Sequence, residues 1–352
     1  MTSRKASLYF FIFLCILTVS LSMLPGNNGD LPYYIATALT KDGKTDQQAL
    51  SETKFIVRAE VTGWKQGALL HQMEIAEKNI LDYYRIKPLY VFIIHFLHKA
   101  GFSFVTATLI PSLLSYFGIG CLVFSWCMKI LKPLPALIFS MILLFINPCI
   151  ILARLSSPDA VSNIFLFYSL YRIYFGKKYY WTALILMTSL FIRLDNFISV
   201  FVLLTLMQMW PGKQKQIHFG TFLICMFLTV ILAVGINFLY EPEFWWFLRV
   251  TYLQSVSAYG LQVLIYFLSV SQSFLPSLIL IGCIEYFMIG NSIPKTTLYV
   301  LTSIACIIFI RFLFFPSFEE RFMTGYYLTA FLVLLEPFLS GKQVQKPSSI
   351  HK

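Results

Sequence analysis

The sequence predicts an all-α polytopic membrane protein with about ten transmembrane helices and a long first extracytoplasmic loop. Of its 352 residues, 58% are hydrophobic and only 12% are charged, which is more apolar than the core of a soluble protein requires. Apolar runs of roughly 20 residues, the length of a membrane-spanning helix, also recur along most of the chain. We expect spans near residues 7–24, 103–128, 134–153, 158–175, 179–193, 196–211, 217–239, 268–290, 296–314 and 322–340.

The apolar run that follows "TSRK" is predicted to be a retained signal anchor. A cleavable signal peptide needs small residues at its cleavage site, and "MLPGNNGD" does not provide them. We therefore divide the chain into an anchor over 1–24, an extracytoplasmic loop with interfacial helices over 25–102, a transmembrane bundle over 103–340 and a cytoplasmic tail over 341–352.

The stretch "PLYVFIIHFLHKAG" from Pro88 is predicted to lie in the membrane interface rather than to cross the bilayer. Its apolar part is only about ten residues long, and His95, His98 and Lys99 share one helical face. With this assignment and a cytoplasmic N-terminus, most of the later lysines fall in short cytoplasmic loops, as the positive-inside rule requires. A span at 88–97 would instead place most of those lysines outside.

Charged residues at the outer ends of the spans differ in kind from those on the cytoplasmic side. Beyond the first loop the outer cations are all arginines, whose planar five-donor guanidinium suits bidentate binding of phosphate or carboxylate. This predicts an outward-facing site that binds an anion at the membrane surface. Alternatively, each arginine reaches a lipid headgroup or pairs with a nearby acid, which fits less well the Arg-Asp pairs in "ARLSSPDA" and "FIRLDN". The outer arginines are Arg154, Arg193, Arg249, Arg311 and Arg321.

Four short motifs stand at predicted outer positions. The first loop opens with an aspartate in "NNGDLPYY", "KPLY" leads into the interfacial helix, "SSPDA" begins the fourth span, and "FPSFEERFMTGYYL" brings an arginine into the last outer loop. In this layout most of the chain resembles the GT-C superfamily of membrane glycosyltransferases. The nearest type is the bacterial branch related to protein O-mannosyltransferases and the lipid A aminoarabinose transferase.

The resemblance implies a polyprenyl-phosphate-linked hexose or pentose as donor and a glycan, lipid or protein as acceptor, at the outer face of a bacterial inner membrane. Asp30 would act as the base or orient the acceptor, Lys87 would bind the donor phosphate, and Asp159 would be a second site carboxylate. The chain departs from the pattern directly before "KPLY", where many members of the superfamily have a glutamate and this sequence has Ile86. Asp82 is the nearest substitute for that glutamate.

The residue chemistry supports the same reaction independently of the resemblance. Sugar transfer from a phosphate-linked donor needs a group that takes the acceptor's proton and positive charge that stabilises the departing phosphate. Asp30 supplies the first, unless its carboxylate only caps the helix predicted for "LPYYIATAL". The candidate phosphate ligands are Arg85, Lys87, Arg193, Arg311 and Arg321.

The sequence disfavours several other functions. No Asp-x-Asp pair is present and the site faces away from the cytoplasm, which disfavours a nucleotide-sugar donor. The net charge of +11 follows from orientation and does not imply nucleic acid. The "HQME" spacing is more typical of a solvated helical face than of a metal pair, so no cofactor or metal ligand is predicted, although a divalent metal remains open. An O-antigen-type polysaccharide polymerase and a lipid or solute transporter are the alternatives, the transporter being disfavoured because the ionisable residues cluster at span ends.

Three further features have structural interpretations. Gly118 in "GIG" lies inside a span and is interpreted as a helix-packing residue. The aromatic residues of "EPEFWW" are more typical of membrane anchors than of sugar-stacking groups. The seven cysteines lie in apolar stretches without CxxC spacing, so neither a disulfide framework nor a zinc site is expected.

Overall fold

The computed structural model describes residues 1–26, 28–74, 80–176, 179–209, 217–240, 294–314 and 320–339. Every regular element within these ranges is helical, which confirms the predicted all-α class. The predicted span at 268–290, the tail at 341–352 and the motif "EPEFWW" lie outside the described residues. The helices are α1 Ser3–Ser22, α2 Leu31–Leu39, α3 Asp46–Glu60, α4 Trp64–Glu74, α5 Ile80–Arg85, α6 Pro88–Lys99, α7 Phe104–Ile130, α8 Pro133–Leu144, α9 Asn147–Arg154, α10 Asp159–Tyr174, α11 Tyr179–Thr188, α12 Asn196–Met209, α13 Phe219–Tyr240, α14 Lys295–Phe314 and α15 Glu320–Leu339, with 3-10 turns at Thr40–Asp42 and Ser189–Phe191.

Four of the described helices, α1, α7, α13 and α14, are long and apolar enough to cross a membrane. The sequence predicts one further continuous span over 134–153, but the structure divides it into α8 and α9, which are bent by 62° relative to each other. Pro148 stands in the first turn of α9, where its missing N–H is tolerated, and it could not continue α8. The helix lengths are those of a membrane protein, and the count of about ten spans remains a prediction.

Helix α1 is apolar on both faces, as a helix in lipid should be. The buried residues of α1 recur every three to four positions and so form one face of the helix. On the surface of a water-soluble protein the opposite face would be polar, whereas here it is apolar as well. Phe10 of this helix stacks on Phe124 of α7 at 4.4 Å between ring centroids. The inward residues are Ala6, Phe10, Leu14, Leu17 and Leu21, and exposed apolar residues are Leu8, Phe11, Ile12, Ile16 and Val19.

Helix α10 packs between α7 and α15 in the interior of the bundle. A Cβ atom at Gly118 of α7 would lie only 2.1 Å from Cδ1 of Ile164 on α10, so a larger residue there would displace the end of the Ile164 side chain. Gly118 thus lies where α7 contacts α10, which is what the helix-packing interpretation predicts. Because α10 contacts both neighbours, the positions of its two ends are set by the bundle.

Helices α2 to α6 form a second apolar core that covers one end of the bundle. Its members include Leu31 and Tyr34 from α2, Tyr90 from α6 and Val161 from α10. The Tyr90 hydroxyl donates to the carbonyl of Thr108 in α7 at 3.1 Å. Helix α6 begins at Pro88 and has 12 residues, roughly 18 Å of helix, which is too short to span a bilayer. The first loop is therefore a helical cap on the ends of α7 and α10.

Candidate functional site

Charged side chains from six segments of the chain meet where this helical cap covers the bundle. Asp30 precedes α2, Lys87 precedes α6 and Asp159 begins α10, while α14 and α15 contribute an arginine each. Two more charged residues lie in the link before α12. We call this group the ionic cluster, and its members are Asp30, Lys87, Asp159, Arg193, Asp195, Arg311 and Arg321.

The centre of the ionic cluster is a buried network of ion pairs. Arg193 donates from Nε to Oδ1 and from Nη2 to Oδ2 of Asp195, both at 2.9 Å, and its Nη1 pairs with Asp159. Arg311 pairs through Nη2 with the same Asp195. These four side chains are at most 9% exposed. Although burial alone would raise the pKa of the Asp195 carboxyl, the charges of Arg193 and Arg311 lower it to about 2. The network thus keeps its charges because they are paired.

Asp159 connects this network to α15. The hydroxyl of Ser157 donates to Oδ2 of Asp159 at 2.9 Å, and Nε of Arg321 lies 3.5 Å from the same oxygen. Asp159 is not the partner of Arg154, which instead donates from Nε to the carbonyl of Leu24 at 2.5 Å. The arginine and aspartate of "ARLSSPDA" therefore do not pair with each other, whereas those of "FIRLDN" do, as the alternative interpretation of the outer arginines has it.

Asp30 occupies the N-cap position of α2, but its carboxylate does not cap the helix. Its backbone is already helical, with φ −75° and ψ −22°, and it makes no side-chain capping hydrogen bond. Instead, the Tyr84 hydroxyl donates to Oδ1 at 2.8 Å and Nδ2 of Asn28 donates to Oδ2 at 2.9 Å. Nη1 of Arg321 lies 3.8 Å from Oδ2. The Asp30 side chain is 31% exposed, against 3% for Asp159, so of these two carboxylates it is the one that a substrate can reach.

The turn before Asp30 is tied to two helices. The Gly26 N–H donates to the carbonyl of Arg154 at the end of α9, at 2.6 Å. Nζ of Lys65, on α4, donates to the carbonyls of Pro25 and Gly26 at 3.1 and 2.9 Å. Asp30 is therefore attached to a turn that is held from both sides.

Lys87 lies in a cage of tyrosine rings beside Asp30. Its Nζ is 3.9 Å from the ring centroid of Tyr83, 4.7 Å from that of Tyr84 and 5.3 Å from that of Tyr34. No carboxylate among the described residues pairs directly with it, and only 5% of the residue is exposed. Burial therefore lowers the pKa of the Lys87 ammonium from 10.5 to about 8, against an opposing effect of the Asp30 charge. Lys87 is the least compensated cation of the cluster.

Asp82 and Arg85, two further predicted site residues, lie apart from the ionic cluster. Nη1 of Arg85 pairs with Oδ1 of Asp82 at 2.6 Å, and its Nη2 pairs with Asp46 of α3. The three side chains are 24 to 43% exposed. Although only one residue separates Arg85 from Lys87, the two cations face different surroundings. The structure thus brings together six of the eight predicted site residues.

Three residues that the sequence analysis did not assign to the site help to build it. The motif "FIRLDN" could have identified Asp195 as a site residue, whereas no sequence motif points to Asn163 or Gly325. Nδ2 of Asn163 donates to the carbonyls of Asp159 and Arg321 at 2.8 and 2.7 Å, and its Oδ1 accepts from the Gly325 N–H at 2.7 Å. A Cβ atom at Gly325 would lie 3.1 Å from two Asn163 oxygens. The side chain of Asn163 therefore holds the start of α15 against the start of α10.

The charge balance of the ionic cluster favours an anion. It has four basic and three acidic side chains, so one positive charge is in surplus when all are ionised. Within the described part of the chain, no group of three histidine, cysteine, aspartate or glutamate side chains is arranged to bind a metal ion.

Comparisons with protein families, curated proteins and solved structures give no match for this chain. The functional argument therefore depends on the geometry of the site.

Proposed function

We propose that this protein is an integral-membrane glycosyltransferase that moves a sugar from a polyprenyl-phosphate donor to an acceptor at the membrane surface. The observation that carries the proposal is the position of Asp30. Its partly exposed carboxylate is oriented by Tyr84 and lies beside a largely buried set of cations. A base next to fixed positive charge is the arrangement that acceptor activation and phosphate departure require.

In the proposed reaction, the acceptor hydroxyl attacks the anomeric carbon of the donor sugar and passes its proton to the Asp30 carboxylate. The bond between that carbon and the phosphate oxygen breaks, and the polyprenyl phosphate leaves with the electron pair. Arg321, whose Nη1 lies 3.8 Å from Asp30, and Lys87, which the Asp30 charge influences, stabilise the charge on the departing oxygen. Arg193 and Arg311 add positive charge deeper in the ionic cluster. Tyr84 keeps Asp30 in place, since burial and the neighbouring Asp30 charge raise the pKa of its hydroxyl, which stays a hydrogen-bond donor.

We place this site at the outer face of a bacterial inner membrane, in a bundle of about ten spans. The grouping of charges supports this orientation, because residues predicted to be cytoplasmic also meet, at the other ends of the same helices. Tyr174 at the end of α10 donates to Oε2 of Glu336 at 2.6 Å, and Lys129 lies 3.6 Å from the ring centroid of Phe175. The acceptor is a glycan, a lipid or a protein, and the sugar is a hexose or a pentose.

An O-antigen-type polymerase would use the same cations with a different leaving group. Its donor carries a diphosphate, so the released carrier would be a polyprenyl diphosphate rather than a monophosphate. Identification of the released carrier by mass spectrometry separates the two activities.

The decisive test is the change Asp30→Asn. Asparagine keeps an oxygen that can accept from Tyr84 but cannot take a proton, so we expect transfer to fall on the order of 10²-fold or more while the protein folds normally. Purified protein would be assayed with a panel of polyprenyl-phosphate-linked hexoses and pentoses and a membrane extract as acceptor.

Asp42→Asn is the matched control for this test. Asp42 lies in the same loop, pairs with Lys99 at 2.7 Å and makes no contact with the ionic cluster, so its variant should transfer sugar normally. Transfer by Asp30→Asn at a near wild-type rate would contradict the assignment and direct attention to Asp159 or Asp82 as the base.

A further inference from the structure

The ring of Phe322 is contacted by three arginines of the ionic cluster. The Cζ atoms of Arg193, Arg311 and Arg321 lie 4.3, 5.1 and 4.8 Å from its centroid. The three guanidiniums come from the link before α12, from α14 and from α15, so the ring stands where three segments meet. Phe322 itself is partly buried against the main apolar core.

The contacts of these arginines are of two kinds that do not compete. The carboxylates of Asp159 and Asp195 take N–H groups at the edges of the guanidiniums. The aromatic ring attracts the cations through its π face and accepts no N–H bond in the plane of a guanidinium. A phenylalanine at this position therefore stabilises positive charge without occupying any N–H donor.

The arginines need such a support because three like charges lie around one ring and repel one another. Arg193, Arg311 and Arg321 share Asp159 and Asp195, with Asp30 at a longer distance. An apolar side chain without a π face would fill the same volume but would not offset this repulsion.

We infer that Phe322 is a positioning residue of the anion site, which fixes the spacing of the three arginines so that Arg321 meets the donor phosphate with the charges of Arg193 and Arg311 held behind it. The inference rests on the proposed function for the identity of the anion. It assigns Phe322 no contact with the reacting atoms, so its effect should fall on donor affinity rather than on the chemical step.

The experiment compares Phe322→Leu and Phe322→Met, which remove the ring, with Phe322→Tyr, which keeps it. We expect the two ring-less variants to raise the KM for the polyprenyl-phosphate sugar about tenfold with kcat changed less than about threefold. Phe322→Tyr should restore the wild-type KM. Two ring-less variants are used because methionine adapts to irregular space, so one of them should fold even if the other does not.

Phe331→Leu is the matched control on the same helix. Phe331 stacks on Phe139 at 5.9 Å and lies outside the ionic cluster, so it reports the cost of losing an aromatic ring from α15 without a cation contact. A donor KM in Phe322→Leu and Phe322→Met equal to that of Phe331→Leu would overturn the inference, as would a raised KM in Phe322→Tyr.

A binding measurement separates this inference from the proposed function. The affinity of each purified variant for a short-chain polyprenyl monophosphate in detergent would be measured directly. If the wild-type protein transfers no sugar but binds this phosphate more tightly than the ring-less variants, the proposed function fails and the inference stands. If all variants bind it equally, or if the wild-type protein does not bind it, the inference fails whatever the result of the transfer assay.

Discussion

Two sets of ion pairs in this protein differ mainly in exposure. Arg85 pairs with Asp46 and Asp82 on the surface of the helical cap, and these side chains are 24 to 43% exposed. Arg193 and Asp195 pair inside the ionic cluster, where they are at most 9% exposed. Water screens the first set, whereas the second set depends on its own members for compensation. The same residue types therefore serve surface solubility in one place and define a site in the other.

The largest expected difference between the two sets is in stability. Asp195→Ala leaves Arg193 and Arg311 buried with too few carboxylates, so we expect the free energy of unfolding to fall by about 3 to 5 kcal/mol. Asp82→Ala leaves Arg85 partly exposed and still paired with Asp46, so its cost should be about 1 kcal/mol or less. Unfolding of both variants in mild detergent measures the difference. Equal small losses would mean that the ionic cluster is solvated.

A second difference concerns pH. The folded-state pKa of Lys87, about 8, lies below its ordinary value of 10.5, so the unfolded chain holds more protons between these two values. Fold stability should therefore rise with pH across this window, while the positive charge available to the donor phosphate is lost.

We expect the donor KM to be constant below about pH 7 and to rise by up to about tenfold per pH unit above about pH 8. The donor phosphate is a diester and does not titrate in this range. Lys87→Arg, which stays charged, is the control and should give a flat KM between about pH 7 and about pH 9. A flat profile in the wild-type protein as well would show that Lys87 does not contact the donor.

The smallest expected effect is that of Arg85→Gln. Because this guanidinium is engaged by Asp46 and Asp82, its removal should change the donor KM less than about twofold, whereas Lys87→Gln should raise it by about tenfold or more. From the sequence alone, both residues are candidate ligands of the donor phosphate. Equal increases in KM for both variants would support that earlier expectation against the geometry.

Much of the fold follows from local pattern. Apolar runs and prolines predict a helix at each expected span that the structure describes, and the short apolar part after Pro88 predicts a helix too short to cross a bilayer. Placement of charges relative to the spans predicts which residues share one end of the bundle, because successive spans alternate in direction. Six of the eight predicted site residues meet for this reason.

Pairing within that end could not be predicted, because it depends on which helix ends are neighbours. Arg154 is close to Asp159 in sequence, yet the break before α9 directs it to the carbonyl of Leu24. Asp30 has the sequence position of a cap, but its own backbone is already helical, and Tyr84, 54 residues later, donates a hydrogen bond to its carboxylate. Phe322 shows no signal at all, since an aromatic residue in an apolar helix is ordinary until three cations are found around it.

The ionic cluster combines side chains from early and late segments of the chain, which are synthesised at different times. The segments up to α12 supply three carboxylates but only two of the four cations, Lys87 and Arg193. At that stage of synthesis the site carries a net negative charge and would repel a phosphate. Arg311 and Arg321 arrive with α14 and α15 and reverse the sign. On the proposed function, we therefore expect a chain that stops before these helices to bind the carrier phosphate more weakly than the full chain.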